Sequence, residues 1–187
     1  DTLRVQCRDA QDILQRINNT VFPDGLAVMT NIARVLDHLS TKIPDPRRRL
    51  SLIPTRAGAR WWTQPDGEVW RIYPLLPDTV TLEQVSTPAQ AFTAAQAFAR
   101  FLAQLADLPG APLLPVIPGF HDTPTRLAHF AEAVRANPCK RLAEVADDVR
   151  WCLDQSELAS TLIRARDSGA IHEIATHNDT KINNLLM

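Results

Sequence analysis

The hydrophobic pattern of this chain changes once, and that change limits the folds it can adopt. Up to Tyr73 short apolar segments alternate with polar residues, as in β-strands, with one helical stretch among them. From Pro88 onward apolar residues recur every three or four positions, as in amphipathic helices. Residues 74–86, PLLPDTVTLEQVS, follow neither pattern. We therefore predict an α+β fold, with a β-rich lobe at residues 1–77 and a helical lobe at residues 78–187.

The first 73 residues predict about five short strands and one helix. Alternating residues at 3–7 and a second run at 13–17 indicate a hairpin, with its turn at Arg8–Ala10. Asp24 can cap a helix whose apolar residues follow helical spacing. LSLIPT, residues 50–55, is the third predicted strand, and residues 60–62 and 68–73 complete the set.

The second half predicts amphipathic helices that begin at recognisable caps. Thr87 followed by Pro88 marks the first start, and DTPTRL repeats the Thr-Pro signal. Two further amphipathic runs follow, and Gly169 fits the stop of the last one. Residues 107–119 are rich in proline and cannot be helical throughout.

Composition excludes several classes of function. The 187 residues carry a net charge of −1, so we expect no nucleic acid and no anionic membrane as partner. The three cysteines are odd in number and far apart, which speaks against a disulfide framework or a zinc site. We expect free thiols in a cytoplasmic protein. A serine-hydrolase site is not indicated, because no G-x-S-x-G motif is present.

The motif that carries chemistry lies at residues 177–184, HNDTKINN. Asp179 stands five residues before Asn184, and we expect a short strand at 172–176 before the motif and another from Leu185. A carboxylate can accept the proton of an attacking hydroxyl, and an amide oxygen can bind a hard cation such as Mg2+. This spacing resembles the catalytic loop of protein kinases.

Several longer segments extend the resemblance over nearly the whole chain. They are ILQRINNTVFPD, MTNIARVLDHL, GEVWRIYPLL, LADLPGAPLLPVIPGFHDTPTRLAHFAEAV and THNDTKINNLL. In order and spacing they resemble the aminoglycoside phosphotransferase and choline kinase-like superfamily, and within it the N-acetylhexosamine 1-kinase family. The resemblance implies a bilobal protein kinase-like fold, the cofactors ATP and Mg2+, and phosphoryl transfer to the anomeric hydroxyl of a small sugar.

The resemblance also assigns roles in the closing motif. Asp179 is the expected catalytic base, and Asn184 is the expected Mg2+ ligand. His177 is expected to support the backbone of the loop without taking part in proton transfer.

For the nucleotide, the resemblance points to the strand DILQRIN and to the segment after WRIY. Arg16 is the expected phosphate-binding cation, and Gln15 takes its place if the register slips by one; an ordinary surface arginine is the alternative for Arg16. The first helix has Thr30 and Asn31, and no Glu, where a kinase ion pair would be sought. The adenine edge is expected at the backbone of three residues, Pro74, Leu75 and Leu76.

The loop GFHDTPTRL offers two readings. His121 and Asp122 precede a predicted helix, so Asp122 can simply cap it. By resemblance, both residues are candidate ligands of the sugar.

Family members also have parts that this sequence lacks. A first strand with a glycine-containing turn precedes the position of Asp1, and an acidic metal motif follows the catalytic loop. We therefore expect this segment alone to be inactive. Two alternatives stay open, a kinase for another small acceptor such as an amino alcohol, an aminoglycoside or another sugar, and a non-catalytic binding module derived from a kinase.

Overall fold

The fold was analysed in a computed structural model that describes residues 1–7 and 10–187. Four antiparallel strands form one sheet in the order β1-β2-β4-β3. The strands are β1 (Thr2–Cys7), β2 (Ala10–Arg16), β3 (Trp62–Thr63) and β4 (Val69–Pro74). The small β-rich lobe and the helices that follow confirm the predicted α+β kinase-like fold. The turn predicted at Arg8–Ala10 falls largely on residues 8 and 9, which lie outside the described residues.

Among the described residues there are five α-helices, and side-chain caps begin the first three, at Asp24, Thr87 and Asp122. Asp24 accepts a hydrogen bond from the Ala27 amide, and Thr87 forms a capping box with Gln90. Across the described residues, no helix combines the length and the apolar character needed to cross a membrane. The helices are α1 (Gly25–Lys42), α2 (Pro88–Leu105), α3 (Thr123–Ala136), α4 (Ala146–Asp154) and α5 (Ser156–Asp167). Three short 3-10 turns lie at Pro46–Arg48, Leu142–Val145 and Ile182–Asn184.

One face of the sheet is packed against α1. Met29 of α1 is 0% exposed and forms a core with Ile17 and Val69. Because side chains alternate along a strand, the residues two positions away share this side, which we call the helix face. Gln15 and Arg71 therefore lie on the helix face, and they are direct cross-strand partners.

The opposite side, here called the outer face, carries the alternate residues of the same strands. Arg16 pairs with Trp70, and Leu14 pairs with Ile72. An open cavity of about 280 Å3 is lined by Leu14, Trp70 and Ile72, by residues 53–55, and by Trp61, Trp62, Gln64 and Arg71.

Polar contacts hold α1 against the proline-rich segment that follows α2. The Asn31 side chain donates to the Leu114 carbonyl at 2.8 Å and accepts from the Leu114 amide at 2.9 Å. The Arg34 guanidinium donates to the carbonyls of Pro109 and Ala111 at 3.0 and 2.7 Å. Side chains of α1 thus hold the proline-rich segment, residues 107–119, which the sequence predicted to be non-helical in part.

The chain forms two compact units, residues 1–117 with 174–187, and residues 118–173. The second unit contains α3, α4 and α5. In the first unit, Val80 and Met187 exchange two backbone hydrogen bonds of 2.8 and 3.0 Å. The boundary of the two lobes at residue 77 stays a prediction.

Three predicted strands, at residues 50–55, at residues 172–176 and from Leu185, were wrong; residues 185–187 have no regular secondary structure. Residues 50–55 contribute one bond to the sheet, from the Ile53 amide to the Ile72 carbonyl at 2.9 Å, and are not a strand. Pro54 follows directly and has no N–H to continue a ladder. Residues 172–176 are described throughout and have no regular secondary structure. Apolar content alone predicted these strands, but a strand also requires a pairing edge.

We predict that Gly25→Ala destabilises the protein by about 1–3 kcal/mol, the usual cost of overpacking. Glycine-to-alanine changes ordinarily favour a helix, but a Cβ at Gly25 would stand 3.0 Å from Val69 Cγ2. Val69 is 1% exposed and cannot move aside. Urea unfolding of Gly25→Ala, Val69→Ala and the double variant measures this. A double variant that loses as much stability as the sum of the two single variants would contradict the explanation.

Candidate active site

The closing motif brings its two predicted functional side chains into contact. Asn184 Nδ2 donates to Asp179 Oδ2 at 2.9 Å and to the Asp179 carbonyl at 2.8 Å. The 3-10 turn Ile182–Asn184 reverses the chain over the five residues that separate them. The carboxylate and the amide of the motif therefore belong to one local structure, while their roles as base and metal ligand stay predictions.

The environment of Asp179 favours its ionised form. The hydrogen bond from Asn184, and then that from Lys181, lower the pKa of the Asp179 carboxyl, and His177 adds a smaller charge effect in the same direction. Lys181 Nζ lies 3.2 Å from Asp179 Oδ2. Asp179 is exposed and is a carboxylate at neutral pH, so it can accept a hydrogen bond or a proton from a bound hydroxyl.

The donor set suits a hard divalent cation held mainly by other groups. The Asn184 amide nitrogen faces Asp179, so its oxygen is the atom left for a metal. No group of three His, Cys, Asp or Glu residues that could hold a metal occurs in residues 1–7 and 10–187. One amide oxygen beside one carboxylate fits Mg2+, which keeps several waters and is bound partly by substrate phosphates.

Contacts with α2 and with the segment before it hold the loop. The His177 ring packs edge-on against Phe98 and Phe101 of α2, with centroid distances of 5.5 and 6.1 Å. Asn178 has a φ of 61°, a left-handed conformation that asparagine tolerates. Asn183 Nδ2 donates to Glu83 at 3.3 Å. His177 therefore anchors the loop by packing, as the resemblance implied.

Arg16, the predicted phosphate cation, lies on the outer face and is ion-paired. Its guanidinium contacts the carboxylates of Glu68 and, at 3.0 Å, Asp1. Two carboxylates neutralise its charge where it stands. A role for Arg16 with nucleotide phosphates stays a prediction, and the alternative residue Gln15 lies on the helix face with α1.

Sequence analysis did not identify Arg71. It lies directly opposite Gln15 and donates to Gln15 Oε1 from Nε and Nη2, at 2.9 and 2.6 Å. Burial lowers the pKa of the Arg71 guanidinium, which nevertheless stays charged. The sequence showed only that Arg71 lies in a strand rich in aromatic residues. That it stands opposite Gln15 follows from the pairing of β2 with β4, which the sequence does not reveal.

The segment after β4 has limited hydrogen-bonding groups. Pro74 has no N–H, and the Leu75 amide donates to the Gln11 carbonyl at 2.9 Å. Within the described residues no acceptor is recorded for the Leu76 amide. Of the three predicted adenine-edge residues, Leu76 is therefore the one that can offer an N–H donor.

His121 and Asp122 lie in the second compact unit. Asp122 Oδ1 accepts from the Thr125 amide at 3.0 Å, which confirms the capping reading. This bond is the main cause of the lowered pKa of the Asp122 carboxyl, with a smaller effect from the charge of Arg166. The His121 ring packs against Phe120 at 4.5 Å. Contact of either residue with a sugar stays a prediction.

We predict that Asn184→Ala raises the pKa of the Asp179 carboxyl toward the ordinary value of about 3.9. The largest cause of the lowered pKa is the Asn184 hydrogen bond, and its loss destabilises the carboxylate relative to the acid. A 13C NMR titration of the carboxyl resonance measures the midpoint. Asn183→Ala is the matched control, because this neighbouring amide bonds to Glu83 instead. Equal midpoints in the wild type and Asn184→Ala would contradict the assignment.

A known family model extends over nearly the whole chain. The sequence model of the phosphotransferase enzyme family matches residues 5–187, which is almost the whole chain. The match covers the sheet, the helices and the closing loop with Asp179 and Asn184. The chain therefore belongs to the phosphotransferase enzyme family, the aminoglycoside phosphotransferase and choline kinase-like superfamily that its motifs had predicted.

Proposed function

We propose that this chain is part of a kinase that transfers the γ-phosphoryl group of ATP to the anomeric hydroxyl of an N-acetylhexosamine. The observation that carries the proposal is the contact between Asp179 and Asn184 in a loop between the second unit and the end of the chain. A carboxylate beside a free amide oxygen suits phosphoryl transfer, which depends on positioning and on neutralising charge. The family match supports the reaction class, and the motifs quoted above favour the sugar.

Asp179 is the group that receives the sugar hydroxyl in this scheme. Its ionised carboxylate accepts a hydrogen bond from the hydroxyl and so points the oxygen at phosphorus. Its lowered pKa makes it a weak base before the reaction. The proton therefore moves to Asp179 as the oxygen–phosphorus bond forms, when the hydroxyl becomes acidic.

Asn184 is the residue of this chain that would hold Mg2+, through its amide oxygen. When bound, the cation neutralises charge on the phosphates of ATP. The amide nitrogen of the same side chain stays on Asp179, so one residue orients the base and presents an oxygen to the metal.

The nucleotide base is placed along the segment after β4. The Leu76 amide would donate to the adenine ring, while Pro74 and Leu75 shape the backbone beside it. Arg16 remains the cation that the resemblance assigned to the phosphates, although its two carboxylate partners would have to release it. His121 and Asp122 would bind the sugar.

The same chemistry could serve another small acceptor, such as an amino alcohol or an aminoglycoside. All three cysteines are free, which fits the cytoplasm, where ATP is at hand. Turnover with N-acetylglucosamine, N-acetylgalactosamine, choline and kanamycin separates the acceptors, and the absence of turnover with every acceptor would favour a binding module.

We predict that Asp179→Asn lowers kcat by ~100-fold or more, the range usual for a general base. The change keeps the shape of the side chain and removes the proton acceptor. Steady-state phosphorylation of N-acetylglucosamine by the full-length protein measures it. Asp148→Asn, an exposed carboxylate of α4, is the matched control and should turn over at close to the wild-type rate. Undiminished turnover by Asp179→Asn would remove the central support of the proposal.

We also predict that Asn184→Ala shifts the Mg2+ dependence of turnover to higher concentrations, because it removes an oxygen ligand. Titrating Mg2+ at saturating ATP and sugar measures the shift. Asn183→Ala again serves as the control, since it leaves the Asp179 contact in place. The same half-saturating Mg2+ concentration for wild type and Asn184→Ala would exclude Asn184 as a ligand.

A further inference from the structure

The helix face of the sheet carries a guanidinium whose neighbours hold it without neutralising it. Arg71 lies half-buried on β4 and donates twice to the amide oxygen of Gln15. Gln15 in turn donates from Nε2 to Thr2 Oγ1 at 3.1 Å. The three residues are direct cross-strand partners on β4, β2 and β1, so the hydrogen bonds run straight across the sheet.

This chain of hydrogen bonds fixes the direction of Arg71. Arginine can only donate, so the Gln15 oxygen must face it, and the Gln15 nitrogen then faces Thr2. The Arg71 guanidinium also lies over the ring of Tyr73, 5.6 Å from its centroid. A half-buried arginine loses less entropy on binding a ligand when its fork is already oriented in this way.

No carboxylate is paired with Arg71 among residues 1–7 and 10–187. Its Nη1 group has no hydrogen-bond partner among those residues either. Arg16 on the outer face differs, since it contacts both Glu68 and Asp1. Of these two arginines, Arg71 is the one with a full positive charge left for an anionic ligand.

Its position relative to the predicted adenine edge suits a nucleotide. Leu76 follows Arg71 by five residues, with β4 ending at Pro74 between them, and a chain extended at 3.3 Å per residue would span about 16 Å over that length. That separation is comparable to the distance between the base and the terminal phosphates of extended ATP. Arg71 points to the side of the sheet that also packs against α1.

We propose that Arg71, in place of the expected Arg16, is the cation of this chain that binds the nucleotide phosphates, and that Gln15 is its positioning residue. The inference rests on the proposed function and names a residue that the motif did not.

The test is calorimetric binding to the full-length protein, with two probes in the presence of Mg2+. The probes are the non-hydrolysable triphosphate adenylyl imidodiphosphate, and adenosine, which has no phosphate. Arg71→Ala should weaken the triphosphate analogue about ten-fold or more, as expected for loss of a charge-assisted contact. It should leave adenosine within about two-fold of wild type. Arg56→Ala, an exposed cation of the same unit, is the control for general charge effects.

A second variant keeps the arginine and changes only its charge balance. Gln15→Glu has the same shape and places a carboxylate where the amide oxygen meets Arg71. Because the new ion pair keeps Arg71 in place, we expect Gln15→Glu to fold. This variant therefore tests the role of Arg71 even if Arg71→Ala fails to fold. We expect the triphosphate to bind about ten-fold or more weakly, with adenosine unaffected.

Each outcome decides between the claims. Unchanged triphosphate affinity in both variants, or an equal loss for adenosine, overturns the role of Arg71 and leaves the proposed kinase intact. Weaker binding by Arg16→Ala alone assigns the phosphates to Arg16 and overturns the inference. If the wild type binds no triphosphate analogue, the kinase proposal and this inference both fail.

Discussion

The burial of Met29 against Ile17 and Val69 is the contact on which the arrangement of the sheet depends. Met29 is fully buried, and Ile17, directly after β2, and Val69 of β4 are almost so. Because side chains alternate, fixing these two residues against α1 decides the face of every other residue on β2 and β4. A slip of one residue would exchange Arg16 and Gln15. The apolar contact of Met29 thus determines on which face of the sheet the charge of Arg16 lies.

The same helix is also held by polar contacts to the segment after α2, including an ion pair of Lys42 with Asp107. Asn31 stands where a kinase-type acidic residue was sought, and it binds both backbone groups of Leu114. Arg34 binds carbonyls of the same proline-rich segment. Both residues satisfy backbone groups that prolines and irregular structure leave without regular partners. These contacts within the chain therefore help to fix the orientation of α1.

The parts of the structure that were predictable from sequence are those set by local interactions. The helix starts at Asp24 and Thr87 follow from side-chain caps a few residues away. The contact of Asp179 with Asn184 likewise spans five residues of one turn. In each of these features the interacting residues are at most a few positions apart, so a local sequence pattern can identify them.

Features that need distant pairing were missed or wrong. Residues 50–55 have the composition of a strand, but Pro54 stops the ladder. Arg71 gained meaning only from the register that sets it opposite Gln15, more than fifty residues earlier. No local periodicity reports which residues of two strands stand opposite each other.

The bridge between Val80 and Met187 has a consequence for how the chain folds. It closes a ring of more than a hundred residues, and the loop-length term alone makes this closure cost on the order of 4 kcal/mol. The ring contains the whole second unit, residues 118–173, as an insertion. During synthesis the sheet and α1 can form early, whereas the loop with Asp179 docks only after the inserted helices have been made. The loop with Asp179 is thus among the last parts of the first unit that can assemble.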